Sequence, residues 1–168
     1  MGLYVAIPTL VIAAILQASF LPKIPLLEVI PNLTLLVVIG WSMRKGSRVG
    51  IIWALVGGIT ADLASGAPLA ISVLPFMAAA LISGAVRRRL YPGNIILPAL
   101  FVVLGLVSFH LLEYLLIMMI STPVQAPPGL LNIGSRFVVL HVVLSPLAYL
   151  FTGWLTGLVE GPRIRIGA

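Results

Sequence analysis

The chain has 168 residues, of which 61% are hydrophobic and 8% are charged, and its formal net charge at pH 7 is +6. This composition excludes an ordinary soluble domain and predicts an integral membrane protein in which residues 1–168 form one transmembrane domain. The absence of cysteine excludes disulfides and thiolate chemistry. Because the basic residues are spread over the ends of apolar stretches, their charge is typical of orientation in a membrane, and we expect no nucleic-acid partner.

Six apolar stretches, separated by charges, Pro and Gly, are candidate transmembrane helices. A helix needs about 20 apolar residues to cross a hydrocarbon core of about 30 Å. In chain order the predicted helices cover residues 3–21, 30–43, 49–64, 68–86, 95–120 and 137–159. The second and third are short, and at about 1.5 Å per residue they span the core only if flanking residues join them. The sequence therefore predicts an all-α membrane protein with six transmembrane helices.

The distribution of Lys and Arg predicts the orientation, because cytoplasmic loops carry the excess of these residues. With six spans, one side holds Arg44, Lys45, Arg48, Arg87, Arg88, Arg89, Arg163 and Arg165. Only Lys23 and Arg136 fall on the other side, so we expect both termini in the cytoplasm. Five spans would separate the C-terminal arginines from the 87–89 cluster and fit this rule less well. No basic residue precedes the first apolar stretch, so we expect a retained helix rather than a signal peptide.

The ionisable residues inside the predicted helices fall near the outer side. Asp62 lies 14 residues after Arg48, which is about 21 Å along a helix. His110 and Glu113 lie on one face in the outer half of the fifth helix, and His141 lies near the outer start of the sixth. Because an unpaired ionisable group in a bilayer is costly, we expect these side chains to face inward or toward a partner. A structural network and a binding surface both remain open.

Small residues on two predicted helices would allow close packing. Residues four apart lie on the same helix face, and small ones let two backbones approach closely in a membrane. The third and sixth helices each carry such a stripe next to an ionisable residue, Asp62 and His141 respectively. The predicted packing residues are Gly50, Ala54, Gly58, Ser145, Gly153 and Gly157.

No arrangement of catalytic or metal-binding residues stands out in the sequence. An aspartic protease needs two aspartates that share a proton, and Asp62 is the only aspartate in the chain. Ser65 with a histidine would resemble a serine dyad, but its place before Pro68 is more simply that of a turn or cap residue. The histidines and carboxylates show no zinc-binding spacing. We expect no enzyme, no cofactor and no metal.

Two stretches carry a resemblance to a known family. PNLTLLVVIGWSMRKG at 31–46 is a short helix that ends in a basic turn, and GGITADLASGAPLA at 57–70 is a Gly-rich helix that ends in Asp-x-x-Ser-Gly-x-Pro-Leu. Together with the length and the basic turn RRRLYPG at 87–93, they resemble the bacterial rod shape-determining MreD family. Asn32 and Ala70 stand where the family pattern has aspartate and glycine.

The resemblance implies a non-enzymatic component of the elongation machinery in the bacterial cytoplasmic (inner) membrane, with roles in rod shape and lateral peptidoglycan synthesis. Its implied partner is MreC, which has a single membrane helix. Through MreC it would reach the RodA glycosyltransferase, a class B penicillin-binding protein and MreB filaments, and membrane lipids are further contacts. The family is similar in fold to the substrate-binding S subunits of energy-coupling-factor transporters. This leaves a membrane subunit that binds a vitamin-like small molecule as the alternative function.

The candidate contact surface, here called the polar outer layer, comprises Asp62, Ser65, Gly66, Pro68, His110, Glu113, Arg136 and His141. As a scaffold the protein would face MreC with this layer, and Asp62 would order the turn after it or pair with a partner's cation. As a transport subunit it would form an outward-facing pocket with the loop 121–136, lined by aromatic rings. The available rings are His110, Tyr114, Trp41 and Trp53. Both tryptophans are placed on the cytoplasmic side, which favours the scaffold.

Overall fold

The structure is a computed structural model that describes residues 3–23, 30–66, 71–85, 96–120 and 130–160. These residues form six α-helices and a short 3₁₀ turn at Leu21–Lys23. The helices are α1 (Leu3–Ser19), α2 (Leu33–Lys45), α3 (Ser47–Ser65), α4 (Val73–Ala85), α5 (Ile96–Ile120) and α6 (Leu130–Glu160). For the described part of the chain, the prediction of an all-helical protein with six helices is confirmed.

Two predicted helix starts are wrong. α4 begins at Val73 rather than at 68, because the main-chain carbonyl of Ser72 caps it by accepting the amide proton of Phe76. Pro75 lies in the first turn of α4, where a missing N–H costs little. α6 begins at Leu130, so residues 130–136 of the predicted loop are helical. Gly134 lies inside α6 and costs the helix about 1 kcal/mol, which is too little to end it. Pro68, Ala70, the basic run 87–89 and the C-terminal arginines lie outside the described residues.

α2 is the central helix of the bundle. It packs against α1, α3, α4 and α6, and every side chain from Thr34 to Met43 is buried. Its 13 residues make it about 20 Å long, which is shorter than a hydrocarbon core of about 30 Å. Because Thr34 in the first turn is already fully buried, the amide groups at this end of α2 must find acceptors within the protein.

Successive helices run in opposite directions, which gives the bundle two distinct ends. Near the start of α3, the Ser47 hydroxyl donates to the carbonyl of Leu81 near the end of α4, at 2.9 Å. At the other end of the same pair, Asp62 near the end of α3 accepts the amide proton of Ser72 at the start of α4. We call these the Arg44 end, where α2 also finishes, and the Asp62 end, where α2 also begins.

Glycines mark the closest approaches between neighbouring helices. A Cβ at Gly58 would lie 2.6 Å from the Cα of Val73, and one at Gly84 would lie 2.6 Å from the Cα of Ser47. These neighbours are backbone atoms, so a larger residue would force α3 and α4 apart. Gly58 belongs to the predicted packing stripe, whereas Gly84 was not predicted.

The other predicted packing residues have different surroundings. Gly50 lies against Ser42 of α2, and Ala54 is fully buried in the core. Gly153 lies against the guanidinium group of Arg44. At Gly157, no described atom lies within 4 Å of the position that a Cβ would take, so within this part of the chain nothing packs there.

Three described helical stretches are long and apolar enough to cross a membrane: Tyr4–Lys23, Ser47–Ser65 and Arg136–Leu158. Val73–Ala85 and Leu100–Leu116 are apolar but shorter. Large apolar side chains such as Tyr4, Leu63 and Met119 are exposed on the surface. Apolar helices with an apolar exterior are those of a membrane protein.

Replacing Gly84 by Ala should destabilise the fold by about 1–3 kcal/mol, because the added methyl group overlaps the backbone of Ser47. The matched control is Gly157→Ala, which adds the same group where no described atom is close and which should be neutral or slightly stabilising. Thermal unfolding of both variants in mild detergent measures the difference. Equal unfolding temperatures would show that the Gly84 contact does not limit α3–α4 packing.

Candidate functional site at the Asp62 end

Side chains from α1, from α6 and from the N-cap residue Asn32 satisfy the start of α2. The amide N–H of Asn32 donates to Nε2 of His141 on α6 at 2.8 Å. The Asn32 side-chain oxygen accepts the amide proton of Leu35 at 2.9 Å, as an N-cap does. The amide of Thr34 lies 3.4 Å from the side-chain oxygen of Gln17 on α1. These side-chain acceptors bind the amide protons that water would bind at the start of an exposed helix.

His141 is fully buried and is held on both ring nitrogens. Its Nδ1 lies 2.8 Å from the carbonyl oxygen of Phe137, and its Nε2 receives the amide proton of Asn32. Since Nε2 must offer a lone pair, this geometry assigns the neutral tautomer with the proton on Nδ1. The ring also stacks on Phe137 with centroids 3.8 Å apart. Within the chain, His141 therefore serves to attach α6 to the start of α2.

Asp62 links the end of α3 to the start of α4. Its side chain is fully buried, and both carboxylate oxygens lie 3.3 Å from the amide nitrogen of Ser72. This places a negative charge at the N-terminus of α4, where the helix dipole stabilises it. Gly66 ends α3 at φ 70°, a left-handed conformation that favours glycine. Ser65, the last residue of α3, donates to the carbonyl of Asp62 at 3.3 Å.

His110 and Glu113 form a separate pair on α5. Nδ1 of His110 lies 3.4 Å from Oε2 of Glu113, and each side chain is about one-third exposed, at 33% and 35%. The His110 ring packs edge-on against Phe137 at 4.2 Å, so the two histidines contact the same ring. Arg136, one residue before Phe137, is exposed.

The polar outer layer thus appears in the described residues as three local groups. Asn32 with His141, Asp62 with Ser72, and His110 with Glu113 each form one. Binding of a partner by this layer stays a prediction, since these are contacts inside the chain. Pro68 lies outside the described residues.

A cavity of about 440 Å³ opens at the Asp62 end above the first turn of α2. Its polar and aromatic walls are Gln17, Asn32, Thr34, Ser65, Phe109, His110, Glu113 and Phe137. Trp41 and Trp53, which the sequence places on the cytoplasmic side, do not line this cavity; they are buried and stack on each other with centroids 4.0 Å apart. The phenylalanine rings were missed, because Phe109 and Phe137 come together only through the antiparallel packing of α5 and α6.

Arg44 was predicted to lie in the loop between the second and third helices, but its side chain joins α2 to α6 by hydrogen bonds. Its Nε and Nη2 donate to the main-chain carbonyl of Tyr149 at 3.0 and 2.7 Å, and its guanidinium lies 3.7 Å from the centre of the Tyr149 ring. Gly153, one turn further along α6, has no side chain to obstruct this position. The sequence did contain residues suited to this contact, because Arg stacks on aromatic rings and Gly153 leaves room for the guanidinium. Pairing Arg44 with Tyr149, however, requires the register between α2 and α6, which the sequence alone does not give.

Ser145 was predicted as a packing residue, and the structure also shows a local use for it. Pro146 lies inside α6 and lacks an N–H, so the carbonyl of Val142 loses its usual donor. The Ser145 hydroxyl donates to this carbonyl at 2.8 Å. This replacement lets α6 continue past the proline.

Metal-binding and catalytic chemistry were tested on the same residues. Within the described ranges, no group of three or more His, Cys, Asp and Glu residues is placed to hold a metal ion. Ser65, the one candidate nucleophile, is bonded to the main chain of its own helix. The polar side chains at this end of the bundle act as hydrogen-bond acceptors for the amide groups at the starts of α2 and α4.

His141→Ala should destabilise the protein by about 1–3 kcal/mol, because it leaves the Asn32 amide without its acceptor in a partly buried position. His110→Ala is the matched control, since the exposed His110–Glu113 pair is worth at most about 1 kcal/mol. Thermal unfolding in detergent compares the two. Similar losses for both variants would contradict the assigned role of His141.

Asp62→Ala should cost about 1–2 kcal/mol of stability, because it removes the carboxylate that caps α4. Asp62→Asn keeps one acceptor oxygen and should lose less than half of that amount. Urea unfolding in detergent, followed by circular dichroism, measures both. Equal losses for Asn and Ala would show that the charge, and not the hydrogen bond that Asn keeps, holds this turn.

Comparison with known proteins assigns the chain to a family. Neither the curated proteins nor the solved structures give a match. The sequence model of one protein family, described as rod shape-determining protein MreD, matches residues 1–152, which is most of the chain. This is a family of shape-determining membrane proteins and not a known enzyme family. The chain therefore belongs to the MreD family of rod shape-determining proteins.

Proposed function

We propose that the protein is a non-enzymatic scaffold of the elongation machinery in the cytoplasmic (inner) membrane of a bacterium, where it binds MreC. Membership of the MreD family is the observation that carries this proposal. Through MreC it would support RodA, a class B penicillin-binding protein and MreB filaments in lateral peptidoglycan synthesis. The family implies the role in rod shape, and the partner contacts are the proposed part.

The proposed topology has six spans with both termini in the cytoplasm. The alternating directions of the helices support it, because they bring the start of α1 and the end of α6 to the same side of the bundle. The Arg44 end carries Arg44 and Lys45 in the last turn of α2 and Arg48 in the first turn of α3. By the positive-inside rule this end faces the cytoplasm, and the Asp62 end faces outward.

We place the membrane helix of MreC in an apolar groove between α1 and α6. The groove has a volume of about 790 Å³, and Leu33, Leu36 and Val37 of α2 form its floor. Its walls are Thr9, Ile12, Ala13 and Leu16 of α1 and Leu144, Leu147, Ala148, Leu150, Phe151, Trp154 and Leu155 of α6. Along α6 the groove extends over 12 residues, from Leu144 to Leu155, or about 17 Å, which is three turns of a docked helix.

The poor coverage of α6 supports this placement. Only 11% of its candidate span is buried inside the protein, against 33% for that of α3. Leu147 and Leu150 on the groove wall are more than 60% exposed, and Ala13 and Ala148 leave room for the close approach that membrane helices need. An apolar partner helix would cover this surface by van der Waals packing.

A substrate-binding membrane subunit of a vitamin-like transporter is the second candidate. The cavity at the Asp62 end favours it, with Phe109, His110 and Phe137 in its walls. The proposed likeness to the S-subunit fold points the same way. The scaffold is preferred because the family is defined by rod shape.

Photo-crosslinking in the native host tests the groove. A photoreactive phenylalanine analogue at Leu147, on the groove wall, should crosslink to MreC. The matched control is Leu111 on α5, which is similarly exposed (58% against 66%) but outside the groove, and it should crosslink mainly to lipid. Immunoblotting for MreC measures both.

Equal yields of MreC from the two positions would contradict the groove as the docking site. Crosslinking to MreC from neither position, together with failure of MreC to co-purify with the unmodified protein, would contradict the scaffold itself.

A further inference from the structure

Two residues that line the cavity at the Asp62 end each carry a buried polar atom that has no hydrogen-bond partner in the described part of the chain. These atoms are the hydroxyl oxygen of Thr34 and Nε2 of His110. Thr34 is fully buried, and both residues line the cavity. A buried polar atom without a partner costs about 1–3 kcal/mol, so such atoms in a cavity wall indicate a missing partner.

The remaining polar groups in the walls both donate and accept hydrogen bonds. Gln17 and Asn32 use their amide oxygens for the first turn of α2, which leaves each with an NH₂ donor. Glu113 offers carboxylate oxygens, and the Thr34 hydroxyl does both. A hydroxyl or an amide on the ligand would match this mixed set.

The charges in the walls argue against a charged ligand. No Lys or Arg occurs among the described residues that line the cavity, so an anion would have no counter-charge there. The Glu113 carboxylate is already within 3.4 Å of His110. The start of α2 is not an anion site either, because Asn32, Gln17 and His141 already accept its amide protons.

Apart from Ser65, whose hydroxyl donates to the carbonyl of Asp62, the rest of the wall is apolar and suits a ligand with a ring or a tail. Phe109 and Phe137 form one side, and Ala14, Ala18 and Ile30 form another. The volume of about 440 Å³ falls in the range of small-molecule sites, about 300–1,000 Å³.

We infer that this cavity is a binding site for an uncharged, hydroxyl-bearing group of sugar or polyol type, which hydrogen-bonds to Thr34 and His110. The group belongs either to a free small molecule or to the head of a glycolipid. This site is independent of the α1–α6 groove, so binding here and binding of MreC are separate properties.

Native mass spectrometry of the detergent-solubilised protein tests the inference with two probes. Methyl β-glucoside represents the free molecule, and monoglucosyl diacylglycerol represents the lipid head group. The wild-type protein should form a one-to-one adduct with at least one of them, and which one does so identifies the source. Phosphatidylglycerol serves as the anionic comparison and should not compete for the site.

Thr34→Val removes the unpartnered hydroxyl with almost no change of shape. It should weaken the adduct about three- to ten-fold, the value of one hydrogen bond, without lowering the unfolding temperature. The matched control is Thr60→Val, because the Thr60 hydroxyl donates to the carbonyl of Gly57 and lies outside the cavity wall. Its adduct should equal that of the wild type.

Ala64→Leu, which fills the cavity from α3, provides a second variant and should abolish the adduct. Three results would overturn the inference: no adduct with either glucoside, equal adducts in the wild type and Thr34→Val, or displacement of the adduct by phosphatidylglycerol. Co-purification of MreC with Thr34→Val should remain unchanged, which keeps this test separate from that of the scaffold.

Discussion

The start of α2 is the constraint on which the arrangement of the other helices depends. A helix of 13 residues in the centre of a membrane bundle begins below the surface, and its first amide groups have no water to bond. Asn32 supplies one acceptor, and α1 and α6 must supply the others through Gln17 and His141. The positions of these two helices along α2 are therefore set by hydrogen bonds as well as by packing.

α6 is attached to α2 at two points and is little covered elsewhere. His141 holds it near the Asp62 end, and Arg44 binds the Tyr149 carbonyl near the Arg44 end. Between these points, Gly40 allows the backbone of Ala148 to come close. An element fixed along one edge can present its other face to a partner without moving, and this is the property that a scaffold needs.

The short length of α2 also explains the cavity. Because α2 starts at Leu33, the longer helices α1, α5 and α6 enclose a space above its first turn. Gln17 and Asn32, which accept amide protons from the first turn of α2, also line that space and give it a polar floor. The apolar groove lies along the flank of α2 instead. One short helix thus produces both surfaces for which we propose a function, a polar one at its end and an apolar one at its side.

The sequence by itself determined the class of protein, the six helices, the family and the concentration of polar residues toward one end, because hydropathy, Pro and Gly signals and the stretch around Asp62 are local. It misplaced the starts of α4 and α6, since capping by Ser72 and the tolerance of Gly134 depend on their surroundings. Only the tertiary structure decided that His141 bonds Asn32, 109 residues earlier, and that Arg44 turns inward to α6. Such pairings depend on the register between helices. This register is set by the packing of segments that are distant in the sequence, so local periodicity does not predict it.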